Sequence, residues 1–409
     1  SQLLCTLIEQ YPKVIEPESG QIIAVTLELA SLAVVEDECF DSQFDVLYAV
    51  SPIEYLAINT SPDNFFAEFW ENIQIDTPNK LLAISTAVNS FIEHLPEIIS
   101  LNFSDIFDFS IGCIQSQDHC IQESGFSIIF QLIPRYYSLF SDLFDKFMEC
   151  VLPILAESDH EPLVIVTLSS ITELLYLIEV PDSYIEPLLE NFGTLISKVT
   201  PTNQYLIISA ISSLIYSSVD SIKEQQVAPE LVSILQQAAS HDPSEQSIIA
   251  ASGVEALSYL ISFSPSETNS IHQFTLEKIQ EFLQLEDVSL FSTMMISLRS
   301  LITSEASDFI DNVDSDILFN SMIKIIVFDL DTIDKDTAEY SAMAESKKTT
   351  FLFLAKLASI KPNIVIPYIS NLAPLAINHL DLKMDNYYVL KSSLKATISI
   401  AQLLSSTDD

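Results

Sequence analysis

Glycine is nearly missing from this chain: there are five in 409 residues. Tight hairpins and phosphate-cradling loops draw on backbone conformations that glycine adopts most cheaply, so β-rich and nucleotide-binding folds are disfavoured from the outset. Positive charge is equally scarce. Lys and Arg together number 17, Arg135 and Arg299 being the two arginines, against 57 acids, and the formal net charge is -40. Such a polyanion is repelled by nucleic acid phosphates and by anionic membrane surfaces. Its natural partners are basic proteins, although one-signed charge also serves solubility. An RNA-reading helical array needs a basic face, and that charge is absent here.

Chemistry-bearing patterns are also lacking. No G-x-S-x-G elbow, P-loop or H-E-x-x-H occurs, and six histidines lie scattered. The cysteines Cys5, Cys39, Cys113, Cys120 and Cys150 are odd in number and irregularly spaced, which suits a reduced compartment better than a disulfide framework. Cys113, His119 and Cys120 come nearest to a metal set but lack a fourth ligand, so interhelical cysteines are the better account. Asp105 and Asp108 have the spacing of paired carboxylates, without specificity in so acidic a chain. No catalytic, cofactor-binding or metal residue is assigned, and an enzyme is not expected. The longest uncharged stretch, Val199 to Val219, contains Pro201, Asn203, Gln204 and several serines, and reads as another repeat helix, not a membrane span.

What is present is a repeat. Nearly half of the residues are apolar (48%), enough for a large core. Breaks between apolar segments centre on Pro12, Pro96, Pro134, Pro181, Pro265 and Pro362, with proline-free equivalents near Val219 and Ala306 and a further one between Pro52 and Pro62. Their spacing, mostly about 40 to 47 residues, lies in the HEAT and armadillo range. Aligned positions agree in chemistry. Five residues before the break stand Phe91, Ile129, Tyr176, Leu214, Leu260, Leu301 and Leu357. Eight before it stand Val88, Phe126, Ile211, Leu257, Leu298 and Leu354, with Glu173 the exception. Nine before it, small residues dominate: Ala87, Gly125, Thr172, Ala210, Ala256 and Ser297, with Phe353 deviating. These offsets form one stripe of a helix, the packing helix of a stacked pair. A second helix follows each break, as at Pro96 to Gln115 and Pro181 to Val199, where proline suits the first turn.

The fold expected is therefore all-α: one continuous HEAT-repeat solenoid over residues 1–409, of about ten antiparallel helix pairs. Two stretches are irregular. Residues 36–75 hold Phe40, Phe44, Phe65, Phe66, Phe69 and Trp70, aromatics that are expected mainly in the core, with a binding surface as the alternative. Residues 329–345 carry Asp329, Asp331, Asp334, Asp336 and Glu339 against Lys335 and read as an acidic loop, either merely solvated or touching a partner.

The segment Met343 to Ser370, MAESKKTTFLFLAKLASIKPNIVIPYIS, resembles the middle of importin-β (karyopherin-β) transport receptors, nearest the branch that imports ribosomal proteins and histones. Glu345 and Lys347 match that branch, whereas Ala344 and Ser346 depart from it; the Asp329 to Glu339 stretch stands where the family has an acidic insert. The run Ile185 to Asn191 and the opening Leu4 to Pro17 are similar as well. The resemblance implies a nuclear import receptor shuttling between cytoplasm and nucleus. Basic cargo (nuclear localisation segments, ribosomal proteins or histones) would be its partner, with nucleoporins further partners. It also implies that the first repeats, where the family grips the Ran GTPase, lie outside this chain. Glu123, Glu173 and Glu255 sit on the second helices of their pairs, which line the inside in this family, and are the cargo-binding candidates. A HEAT-repeat scaffold assembling a multiprotein complex is the alternative.

Overall fold

The structure, a computed structural model, describes residues 1–33, 39–218, 229–263, 269–285, 287–304, 306–335, 337–380 and 386–407. Helices dominate, with no strand among the described residues. The chain divides into two compact units, Ser1–Val199 and Thr200–Asp409. In the first unit the packing helices are Gln2–Gln10, Cys39–Asn59, Pro78–Phe91, His119–Phe140 and Glu161–Leu177, each touching the next. In the second they are Gln204–Ser217, Pro243–Phe263, Val288–Thr303, Ala338–Ile360 and Tyr387–Thr407, again in contact in chain order. The helices between them form a second row in each unit, such as Pro62–Asn72, Pro96–Leu101 with Phe103–Ile114, Phe144–Glu157 and Asp182–Leu195 in the first. Each unit is thus a two-row stack of antiparallel pairs, the HEAT arrangement.

The corners share one backbone solution. Tyr11, Leu95 and Lys361 end their packing helices at φ/ψ of -134/49, -122/48 and -125/62, and each precedes a proline that opens the next helix. Proline disfavours the helical region for the residue before it, so the corner is written by one Xaa-Pro step, while the missing N–H costs nothing at a first helical position. Pro134 behaves differently. It lies inside His119–Phe140, and the break falls at Tyr136, φ/ψ -126/19. Near Pro181 the packing helix ends earlier, at Leu177, with an extended Ile178 after it. The breaks read at Val219 and Pro265 lie outside the described residues.

These displacements shift two of the seven sequence registers. Ile129 and Phe126 are fully buried as read, but Tyr176 is 53% exposed, and Leu132, Ile133, Leu174 and Leu175 are fully buried nearer the corners. With the corner at Ile178, the exceptional Glu173 gives way to Ile171, which is fully buried. The other five registers stand: Phe91, Leu214, Leu260, Leu301 and Leu357 are all fully buried. The first unit adds an aromatic core, with Phe69 edge-on to Phe91 at 4.9 Å and Phe103 edge-on to Phe140 at 5.3 Å. Of residues 36–75, expected to be irregular, most form an ordinary pair, Cys39–Asn59 and Pro62–Asn72, whose Phe65 and Phe69 are core, while residues 36–38 and the side chains of Phe40 and Phe44 lie outside the described residues. The acidic stretch is shorter than expected, because Thr337 caps a helix that starts at Ala338, so Glu339 and Glu345 are helical.

Polar rungs tie neighbouring second-row helices. Tyr184 donates to Asp145 at 2.9 Å, and Tyr368 donates to Asp316 at 2.6 Å while stacking on Phe319 at 4.1 Å. Inside the second unit the Lys347 ammonium, 1% exposed, donates to the Ile326 carbonyl at 3.0 Å and lies 3.1 Å from Nε2 of His379. His379 Nδ1 is 2.8 Å from the Leu375 carbonyl, an acceptor, which places the imidazole proton on Nδ1 and leaves Nε2 to accept from Lys347. The ammonium also faces the negative end of the Ser315–Val327 helix. Burial still pushes the lysine down to about 8, with Asp329 opposing that shift.

Close approach within a pair requires glycine at two places. Gly125 and Gly253 occupy equivalent packing-helix positions, seven residues before the buried Leu132 and Leu260. A Cβ on Gly253 would lie 2.5 Å from the Ala239 nitrogen and 3.0 Å from the Ala238 carbonyl carbon, and backbone cannot step aside cheaply. Gly112 and Gly193 have open space around the same atom. Gly253→Ala should therefore lower stability by roughly 1–3 kcal/mol through overpacking, offset only partly by about 1 kcal/mol of helix propensity. Gly193→Ala should raise stability by roughly 0.5–1 kcal/mol. Urea unfolding of the two variants beside the parent chain measures the difference in sign.

Candidate functional site

The three glutamates expected to receive cargo, read as standing on the second helices of their pairs, all lie on packing helices, and in three different environments. Glu123, in the second turn of His119–Phe140, accepts at 2.8 Å from Nε2 of His160, the residue before the next packing helix begins. The His160 ring lies parallel to that of His119 at 4.4 Å, and Nδ1 of His119 is 3.0 Å from Oε1 of Gln122. Glu123 thus staples two consecutive repeats and is not open to a ligand without loss of that contact.

Glu173 is half-buried near the end of Glu161–Leu177 and has no hydrogen-bond or ion-pair partner among the described residues. One turn further on, Tyr176 stands 53% exposed. Residues three apart share a helix face, so a carboxylate and an exposed aromatic ring sit side by side. That pairing suits a lysine: the carboxylate takes the ammonium, and the ring lies along the aliphatic stem.

Glu255 is enclosed. It accepts from the Tyr259 hydroxyl at 2.9 Å, and Tyr259, only 4% exposed, lies 5.3 Å from the ring of Tyr216 on the preceding packing helix. Loss of hydration dominates over the tyrosine hydrogen bond and raises the carboxyl to about 6. Glu123 and Glu173 belong to the first unit, and Glu255 to the second.

The acidic stretch has its own order. Asp329 is exposed and acts electrostatically on Lys347, while Asp334 and Glu339 are exposed. Asp336 and the side chain of Asp331 lie outside the described residues. The Cys113, His119 and Cys120 set dissolves. Burial pushes the Cys113 thiol up to about 12, His119 is engaged as described, and Cys120 is disulfide-bonded. That bond corrects the expectation of five reduced thiols; Cys5, Cys113 and Cys150 are free and buried. No group of His, Cys, Asp and Glu suited to a metal occurs among the described residues. Asp108 is paired with Lys146 at 2.7 Å, and Asp105 faces away into a groove described below. Among the described residues no single helix is long and apolar enough to cross a membrane.

What the sequence reading missed is the partners of Glu123 and Glu255. His160 could have been found, since it lies one repeat beyond Glu123; the enclosure of Glu255 had no signal in the sequence. That enclosure has a definite sign. A carboxyl at about 6 when folded, against an ordinary 4.5, binds its proton more tightly in the folded state, so its contribution to stability falls as pH rises from about 4.5 to 6. Glu255→Gln should remove this dependence and stabilise the chain at neutral pH by up to about 2 kcal/mol. Thermal unfolding of both forms between pH 4.5 and 7 measures the difference.

No protein-family model matches the chain, and no curated protein matches it. Solved structures do. The chain is similar to Kap121p bound to Pho4p, with a TM-score of 0.77 at 13% identity, covering 100% of this chain and 43% of that one. It is similar to Kap121p bound to Nup53p, with a TM-score of 0.77 at 13% identity over 99% of this chain and 43% of that one. Kap121p alone gives 0.74 at 13%, over 99% and 44%. The chain thus spans less than half the length of these proteins. At such identity the likeness concerns the fold, and the chain has the all-helical HEAT-repeat fold seen in a karyopherin.

Proposed function

We propose that this chain is part of an importin-β-type transport receptor that binds basic cargo segments through carboxylates on its packing helices. The observation that carries this reading is Glu173, a carboxylate left without a partner one turn from the exposed ring of Tyr176. In a chain of net charge -40, lysine-rich segments are steered in from solution. The solved relatives of this fold support a role in protein binding, since Kap121p has been crystallised with Pho4p and with Nup53p. On this reading the receptor shuttles between cytoplasm and nucleus, takes cargo of the ribosomal-protein and histone type, and meets nucleoporins. Binding, not catalysis, is its activity.

Of the three glutamates, Glu173 gives the cleanest test, because reversing Glu123 breaks the His160 staple and reversing Glu255 buries a cation. Glu173→Lys should weaken binding of a lysine-rich peptide by roughly 1.4 kcal/mol, a factor of ten, mainly through faster dissociation. Reversal of Asp334 and Glu339 should chiefly slow association, as expected for exposed charges that only steer. Stopped-flow binding at about 0.1 M and 1 M salt, where the screening length falls from about 10 Å to about 3 Å, separates the two. Equal effects from both sets would mean that cargo reads a diffuse acidic surface.

A further inference from the structure

A groove opens in the first unit between neighbouring helices of the second row, whereas Glu123 and Glu173 lie on packing helices. One wall is a single face of Pro62–Asn72, bearing Asp63, Phe66, Ala67, Trp70 and Glu71 at helical spacing. The facing wall comes from Pro96–Leu101, the turn after it and the first turn of Phe103–Ile114, with Ile98, Leu101, Asn102 and Asp105. It encloses about 560 Å³, within the range of ligand-sized clefts. Its floor is preformed. The Trp70 ring is held edge-on by Phe66 at 5.9 Å, Phe69 at 5.5 Å and Phe109 at 5.5 Å.

Leu101 at the mouth is 81% exposed, an apolar side chain left in water beside an apolar cleft. The rim is of one sign. Asp63, Glu71 and Asp105 are exposed, none has an ion-pair partner among the described residues, and no Lys or Arg lines the groove. Apolar floor and anionic rim together select a particular occupant.

We propose that this groove docks a short peptide segment that inserts one large aliphatic side chain against Trp70 and places flanking lysines or arginines on Asp63, Glu71 and Asp105. The apolar residue supplies burial, and the basic flanks supply selectivity over uncharged segments. This surface lies on the second row, so it is separate from the cargo reading of Glu173 and stands or falls without it.

Trp70 is the one tryptophan of the chain, so its emission reports this groove alone. The probe is a ten-residue peptide with a central leucine between paired lysines. Titrating it into the full chain should give a saturating change in Trp70 emission. The peptide with glutamines in place of lysines, and an uncharged phenylalanine–glycine peptide, should each bind at least roughly tenfold more weakly. The triple variant Asp63→Asn, Glu71→Gln, Asp105→Asn should lose the preference for the basic peptide, and Leu101→Gln should weaken it in turn. All four positions are exposed, so neither variant disturbs the core. Glu173→Lys should leave the Trp70 response unchanged. Absence of any emission change, equal binding of the uncharged peptides, or a triple variant with undiminished preference for lysine would overturn the proposal.

Discussion

Within each unit, every packing helix has to bury a stripe against the packing helices it touches and against the second row at once. That single steric demand explains most of what is conspicuous in the structure. The stripe is filled by large aliphatic and aromatic residues, among them Phe91, Leu214, Leu260 and Leu357, all sealed from water. Where two helices of a pair come closest, no side chain fits, and Gly253 lies against bare backbone. Corners are then needed that leave the stripe in register, and the pre-proline conformation of Tyr11, Leu95 and Lys361 provides them with one step of chain. In such stacks stability is a sum of local terms, so a fault at one corner stays within its neighbours.

Charge is fitted around that frame. With few cations available, most lysines near the corners are committed. Lys80 meets Glu28 at 3.1 Å, Lys146 meets Asp108 at 2.7 Å, and Lys361 bridges Asp308 at 2.9 Å and Asp311 at 2.7 Å. Exposed pairs of this kind contribute little stability individually. Their greater effect is to leave the remaining acids unneutralised, which is the condition for attracting basic proteins.

The helix periodicity carried the fold into view because stripe residues recur whatever lies between them. Its failures are local and physical. Pro134 drew the corner to itself, but a proline within a helix bends the chain a residue or two later when packing permits, and Tyr136 is where that bend falls. Glu173 broke the pattern only because Ile178, with no proline beside it, ends its helix early. Periodicity delimits the helices, but the candidate glutamates, read as second-helix residues, stand on packing helices. Their environments depend on residues a whole repeat away, His160 for Glu123 and Tyr216 near Glu255, and periodicity does not report them. Of the aromatic cluster, Phe65 and Phe69 are core and Phe66 and Trp70 line a cleft, while the side chains of Phe40 and Phe44 lie outside the described residues.

Lys347 and Lys348 are adjacent in the sequence, and by composition they are the most basic spot of the chain. In the folded protein they have little in common. Lys347 is enclosed between a helix end and an imidazole, whereas Lys348, a third exposed, reaches Glu345 at 2.9 Å. A receptor or acetylating enzyme reading short basic runs would find one amine here, already half-neutralised, and a second one only after the helices around it had come apart. The dipeptide is therefore a record of foldedness: accessibility of its first amine marks a chain whose repeats have opened.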